Sequence, residues 1–340
     1  MRQVWITKAG EPEVLEVRET RDPLPAAGEL RIRVEAAGVN FADIMGRLGI
    51  YPDLPPMPVV PGYEVAGSVD AVGDGVESDW IGRDVLVMTR FGGYSDVLCA
   101  PEGQVFARPE GMTAEAGAAF PVNYLTAYQL LTVMGSLRSG DTVLVHSAGG
   151  GVGIAATQLA RALGARVIGT ASAGKHASLK ELGVDDCIDY RTEDFEQRVR
   201  EITGGRGVEL AIDAVGGDSF RKSYRSLTPT GRLGMFGMSA AATGKRRSLL
   251  GLLGAAARMP WFSFTPLRLM DANKGVFGVN VGHLWGETDR VASWMETLLT
   301  QHAGGALRPV VDRSFPFAEA AAAHHYIQDR KNFGKVLLTP

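Results

Sequence analysis

The sequence predicts an α/β protein of two domains: a small β-barrel or sandwich, then a doubly wound parallel sheet. Three observations carry this. The chain has 340 residues, above the ~250–300 at which single hydrophobic cores tend to stop growing. Its first third is rich in β-branched residues and glycine turns. From Asn123 onward, short apolar runs alternate with helically spaced stretches, the pattern of buried parallel strands covered by helices.

The elements follow in order. The opening "MRQVWITKAGEPEVLEV" alternates like a strand and carries Glu11, Glu13 and Glu16, so no signal peptide is expected. "ELRIRVEAAGV" has period two, as a strand does. "VVPGYEVAGSVDAVG" and "RDVLVMTRFGGYSDVLCA" repeat the pattern, punctuated by Pro61, Gly62, Gly67, Gly73, Gly92 and Gly93. "NYLTAYQLLTVM" has helical spacing. Strand Thr142–His146, helix Val152–Leu163, strand Arg166–Thr170 and helix Lys175–Leu182 come next, then short strands at "CIDY", "VELAIDAVG" and "GRLGMFGM". The last segment, from about Asn280, starts helical and ends in a strand, "FGKVLLTP".

Composition narrows the function classes. A net charge of −3 argues against a broad nucleic-acid footprint. Two cysteines, Cys99 and Cys187, cannot build a disulfide framework and suit a reducing, cytoplasmic setting; both read as buried small hydrophobes. The most membrane-like stretch, Ser248 to Ala257, is ten uncharged residues between Arg247 and Arg258. A bilayer span needs about 18–20, so no integral span is expected.

The stretch "VLVHSAGGGVG" carries the first functional signal. A strand stops, Gly150 and Gly151 turn the chain, and a helix opens at Val152. Gly150 and Gly153 hold the second and third glycine positions of a dinucleotide fingerprint, and Ala148 stands at the first. A pyrophosphate must approach the helix N-terminus, where free N–H groups and the dipole favour it. A Cβ at Gly150 would hold it off, and Gly153 lets helix and strand pack closely.

An absence gives the second signal. NAD-binding sheets place Asp or Glu about 20 residues past the glycines, on the ribose hydroxyls. From Ile154 to Lys180 there is no carboxylate. Thr170, Ser172 and Lys175 stand there instead, and hydroxyls with a cation suit a 2′-phosphate. The cofactor expected is NADPH rather than NADH, although Lys175 also reads as an ordinary helix-start lysine. A third signal concerns zinc. Catalytic zinc usually takes three protein ligands, yet residues 1–145 hold no histidine and one cysteine, Cys99. No metal site is expected.

In combination, "AAGVNFADIMGRLGIYPDLPPMPVVPGYEVAGSV", "NYLTAYQLL", "VLVHSAGGGVG" and "NFGKVLLTP" resemble the zinc-free quinone oxidoreductases of the medium-chain dehydrogenase/reductase superfamily, across nearly the whole chain. Zinc relatives have a cysteine where this chain has Asn40, and Gly-His-Glu where it has Gly62-Tyr63-Glu64. Within that branch, "LLGLLGAAARMPWFSFTPLRLMDANK" and "GTASAGKH" are most similar to the synaptic vesicle membrane protein homologues, which are linked to membranes and trafficking. The resemblance implies a GroES-like catalytic domain over residues 1–123, completed by 280–340, and a Rossmann dinucleotide-binding domain over 124–279. It places Asn40 and Thr126 near the nicotinamide, and Lys175, Tyr190 and Arg330 on the 2′-phosphate. Gly216, Phe236 and Gly237 would face the cofactor from strand ends. Phe277 and Val279 would hold its carboxamide by backbone groups, and Asn332 would return over the site. With Gly150 and Gly153, Gly151 and Val152 complete the expected cofactor loop. A homodimer, joined near "GVFGVNVG", is a further family expectation.

The chemistry implied is hydride transfer from NADPH to a quinone or an α,β-unsaturated carbonyl. Charge then develops on the carbonyl oxygen, which needs a donor. Asn40, Tyr51 and Tyr63 are the candidate catalytic groups, with Tyr63 read equally as filling a vacated zinc pocket and Tyr51 equally as loop packing. His146 reads as a packed core residue, Asp213 as a structural cap, and His324 and His325 as surface residues. The segment Lys245–Met270 joins a basic cluster to apolar and aromatic residues. It reads as a lid, as a dimer contact, or as a peripheral membrane contact. Two other functions stay open: an NADPH-binding scaffold with a membrane or trafficking role, and an enoyl-thioester reductase using Arg246, Arg247 and Arg258 on a carrier's phosphates.

Overall fold

The computed structural model describes residues 1–242 and 264–340. The chain divides into two units, Met1–Leu125 with Val281–Pro340, and Thr126–Asn280.

The first unit begins with β1 (Arg2–Ile6) and β2 (Leu15–Glu19), an antiparallel pair. Then come β3 (Glu29–Val39), α1 (Phe41–Arg47), β4 (Glu64–Val72), β5 (Asp84–Met88), β6 (Val97–Pro101), β7 (Val105–Ala107) and α2 (Ala114–Ala118). The alternation in β3 does what its period dictates: Leu30, Ile32 and Val34 are buried, with more exposed residues between. Helix α3 (Pro121–Tyr128) straddles the division and runs into a π-type turn, Gln129–Val133.

The second unit contains β8 (Thr142–Val145), α4 (Gly151–Ala162), β9 (Arg166–Ala171), α5 (His176–Glu181), β10 (Asp186–Asp189), α6 (Phe195–Ile202), β11 (Val208–Asp213), α7 (Asp218–Arg225), β12 (Leu227–Met235), α8 (Pro266–Ala272) and β13 (Gly275–Gly278). Its six strands are all parallel, in the order β10-β9-β8-β11-β12-β13. This is the doubly wound order whose direction reverses beside the first strand, where such sheets take dinucleotides. Val143, Leu144 and Val145 of β8 are fully buried, as a central strand covered on both faces must be. Leu144, Ile168, Ile188, Val199, Ala211 and Leu233 form one core.

The chain then returns to the first unit through α9 (Thr288–Ala303), β14 (Val311–Pro316), α10 (Ala320–Gln328) and β15 (Lys335–Thr339). There β15 joins β3, giving the order β14-β15-β3-β4-β5-β7, with β6 also on β3. No described helix is long and apolar enough to cross a membrane.

Candidate functional site

The glycine loop is built by the end of β8. Ser147 takes a left-handed backbone, φ +54°, and its carbonyl accepts the Gly150 N–H at 2.8 Å. Helix α4 starts at the next residue. Its first intrahelical bond runs from Ile154 N–H to Gly150 O, 2.9 Å, so the N–H groups before Ile154 have no acceptor within the helix. No side chain caps this end, and its first turn carries no acid. A Cβ at Gly153 would lie 2.4 Å from Ser147 O and 2.7 Å from Ala148 Cα; helix and loop touch there, and only glycine fits. A Cβ at Gly150 would meet only Ser147 O, at 3.3 Å, so packing does not demand that glycine. Bare N–H groups, a positive helix end and an open outer face fit a diphosphate.

Beside the loop, half-buried Ser172 and Lys175 follow β9, and Tyr190 directly follows β10 on the neighbouring strand. Thr170 is different. It is 2% exposed, and its Oγ1 lies 3.0 Å from His146 Nδ1, turned into the protein. Gly216 follows β11, Phe236 and Gly237 follow β12, and Phe277 and Val279 lie at the end of β13. Two bonds hold these ends side by side: Phe236 N–H to Asp213 O at 3.2 Å, and Val279 N–H to Met235 O at 2.9 Å. Thr126 is buried in α3.

The first unit holds a buried polar cluster that the sequence did not disclose. Lys335, first residue of β15, donates to Asn40 Oδ1 at 2.7 Å and to Glu64 Oε1. Glu64 also accepts from Asn40 Nδ2 at 3.1 Å and from Val122 N–H at 2.7 Å. The Lys335 and Glu64 side chains are 3% and 0% exposed. The Asn40 amide is thus held on both its oxygen and its nitrogen. Behind it, Asp43 accepts from Asn40 N–H at 2.8 Å, Gly62 N–H at 3.0 Å and Tyr94 Oη at 3.1 Å. Burial pushes the Asp43 carboxyl up to about 6, against these donors. Gly62 has φ +102°, and a Cβ there would meet Gly93 and Tyr94 within 2.8 Å; this turn delivers Tyr63 next to the cluster. A lysine opening the apolar run "KVLL" was the one available hint in the sequence.

Tyr63 is 8% exposed. Its ring packs on Tyr51, centroids 6.3 Å apart, and on Phe91 at 5.1 Å. Its hydroxyl is buried, and the side chain that meets it is Tyr51. Burial, then the Asp43 charge, hold the phenol well above its ordinary 10, so it is a proton-bearing donor. Tyr51 and Tyr63 therefore come together, and Asn40 is bonded to Glu64, the residue after Tyr63. Arg330 and Asn332 lie in the same unit between α10 and β15; Arg330 is exposed and Asn332 Nδ2 donates to Gly334 O at 2.9 Å.

Several expectations need correction. His324 is not a surface residue: it is fully buried, with Nε2 3.2 Å from Tyr94 Oη and Nδ1 3.3 Å from Arg47 Nε. Alternate faces of α10 separate it from His325, which is exposed and paired with Glu13 at 2.7 Å. Cys99 and Cys187 are half-buried rather than buried. Of the segment Lys245–Met270, residues 243–263 lie outside the described residues; in α8, Leu267 and Met270 are exposed.

A GroES-type unit and a six-stranded dinucleotide fold with an uncapped glycine loop define a two-domain oxidoreductase. Comparison with known proteins agrees. Residues 151–297 match the family model "Zinc-binding dehydrogenase", and residues 26–119 match "Alcohol dehydrogenase GroES-like domain". The chain is 44% identical over 329 residues to the synaptic vesicle membrane protein VAT-1 homolog of Rattus norvegicus, covering 96% of this chain and 80% of that protein. It is 33% identical over 342 residues to a quinone oxidoreductase of Pseudomonas aeruginosa, covering 100% and 99%. A mycobacterial protein solved in complex with NADPH superposes with TM-score 0.88 at 34% identity, covering all of both chains. The chain belongs to the medium-chain dehydrogenase/reductase superfamily, with the quinone oxidoreductases.

The name of the first family model implies zinc, and the residues at that position do not fit it. An amide, Asn40, and a neutral phenol, Tyr63, stand where zinc relatives carry thiolate and imidazole. The Lys335 ammonium already lies against the nearest carboxylate, Glu64. A divalent cation would meet like charge and lack soft donors. Among the described residues, no group of three His, Cys, Asp or Glu is placed to hold a metal ion.

Proposed function

We propose that this oxidoreductase is an NADPH-dependent reductase of quinones or α,β-unsaturated carbonyls that works without zinc. One observation carries the reading: the uncapped, acid-free N-terminus of α4, followed by a strand end with no carboxylate between Ile154 and Lys180. The loop N–H groups would hold the diphosphate, and Ser172, Lys175 and Tyr190 would take the extra phosphate. When bound, NADPH supplies the hydride. The protein's own part is to orient the acceptor and stabilise the oxygen where charge develops. The Tyr63 hydroxyl suits that task, being buried and protonated. Asn40 suits it less, since its amide is already bonded to Lys335 and Glu64. The mycobacterial NADPH complex and the Pseudomonas aeruginosa quinone oxidoreductase support the assignment by similarity.

The test is a fluorescence titration of purified protein with NADPH and NADH, then turnover on a panel of quinones and enones. NADPH is expected to bind at least tenfold more tightly, the scale of one or two charge-assisted hydrogen bonds. Tyr63→Phe is expected to lower kcat by roughly 10- to 100-fold while leaving NADPH affinity unchanged. Preference for NADH, or no turnover on any panel member, would overturn the proposal.

A further inference from the structure

One buried chain of side chains crosses the ends of three adjacent strands in the second unit. Asp213, last residue of β11, accepts from Ser223 Oγ at 2.7 Å and Ser219 Oγ at 2.6 Å, both on α7. It also accepts the Val215 N–H at 2.7 Å and the Gly216 N–H at 3.3 Å. Ser223 Oγ lies 2.9 Å from Nε2 of His146, the residue after β8. His146 Nδ1 lies 3.0 Å from Thr170 Oγ1 in β9. Asp213, Ser223, His146 and Thr170 are each at most 2% exposed. The Phe195 ring stands edge-on to the imidazole at 4.5 Å, and Asp213 Oδ2 lies 3.8 Å from Nε2.

The proton positions follow by elimination. The Asp213 carboxylate is surrounded by donors and only accepts. Ser223 therefore spends its one proton on Asp213 and can only accept from His146. Nε2 must carry the imidazole proton. Burial lowers the His146 pKa and outweighs the nearby Asp213 charge, so the ring stays neutral and Nδ1 is bare. Thr170 must then donate inward to Nδ1. Its hydroxyl has no proton left for a phosphate.

We propose that His146, in its Nε2–H form, is a positioning residue for the dinucleotide, and that Thr170 takes no part in choosing between NADPH and NADH. The relay ties the glycine-loop strand β8 to the end of β9 and to the Val215–Gly216 turn after β11. All three lie at the carboxyl edge of the sheet, where ligands bind in this fold. It sets how well those strand ends are presented, whatever the 2′ substituent. Selection for the 2′-phosphate is left to Ser172, Lys175 and Tyr190. The cofactor half of this inference rests on the NADPH reading above; the proton arrangement does not.

Two measurements test it. In nitrogen NMR of histidine-labelled full-length protein, with His146 assigned by its loss in His146→Gln, Nε2 is expected to be protonated and Nδ1 bare, unchanged from pH 8 to pH 6. The opposite tautomer, or a doubly protonated ring, would overturn the relay whether or not any cofactor binds. In titrations, His146→Leu is expected to weaken NADPH and NADH by the same factor, roughly tenfold, the scale of one lost buried hydrogen bond. His146→Gln, which keeps a donor for Ser223, is expected to restore most of it. Should the leucine variant not fold, Ser223→Ala severs the same relay and is expected to weaken both cofactors equally. Thr170→Val is expected to leave the NADPH:NADH ratio unchanged, whereas Lys175→Ala reduces it. A ratio shifted by Thr170→Val, or cofactor affinities untouched by severing the relay, would remove the positioning role. If the wild-type protein binds neither dinucleotide, the function proposed above fails while the tautomer result stands.

Discussion

His324 shows how much a single residue's meaning depends on what surrounds it. Beside His325 on an alanine-rich helix it looks solvated, yet it is enclosed by Tyr94 and Arg47. Burial, then the Arg47 charge and His325, lower its pKa from 6.5 to about 3. The unfolded chain therefore binds a proton between about 6.5 and 3 that the folded chain refuses. Its contribution to stability is complete above pH 6.5 and is lost as pH falls below it. His146 acts in the same direction. Asp43 opposes them: raised to about 6, it is protonated in the folded protein over a window where the unfolded carboxyl, at 3.8, is charged. Its contribution thus falls as pH rises from 3.8 to 6. Between pH 7.5 and 6 the histidines act almost alone, so the thermal midpoint is expected to drop across that interval. His324→Gln is expected to lower the midpoint at pH 7.5 but to flatten the slope. An unchanged slope in that variant would contradict the buried, neutral imidazole.

At the scale of the element, the two glycines of the α4 entry separate packing from binding. Gly153 is required by contact with its own loop, since any Cβ would lie 2.4 Å from Ser147 O. Gly153→Ala is expected to destabilise the fold by about 1–3 kcal/mol, the usual range for overpacking, as read from chemical unfolding. Gly150 has an extended backbone, φ −88° and ψ 168°, that alanine adopts freely. Gly150→Ala is expected to keep its thermal midpoint within a degree or two of wild type, a change of a few tenths of a kcal/mol, yet to bind NADPH at least tenfold more weakly, because its methyl would stand where the diphosphate rests. If Gly150→Ala bound the cofactor normally, the phosphate would not sit on this loop. The strand–loop–helix itself was legible from "VLVHSAGGGVG", because apolar run, glycine turn and helical spacing are all local. The destination of the Thr170 hydroxyl was not, because it depends on a histidine 24 residues away.

For the whole molecule, the Glu64–Lys335 pair joins positions 271 residues apart and closes the last strand, β15, onto the unit that the first residues begin. Removing one partner leaves a buried charge uncompensated, which costs about 3–5 kcal/mol. Lys335→Met is expected to show that loss in urea unfolding. The double variant Glu64→Gln/Lys335→Met is expected to recover about half of it, since a neutral amide can still accept the Val122 N–H. Equal losses in the single and double variants would mean the pair is not coupled. The two-unit plan, the parallel sheet and the glycine loop could be read from the sequence alone, because periodicity and turn chemistry act over a few neighbouring residues. Only the tertiary structure decided that Lys335 holds Asn40, that the Tyr63 ring packs on Tyr51 and Phe91, and that His324 is buried. Those outcomes depend on which distant strands meet and on how much water they exclude, and no short stretch of chain encodes either.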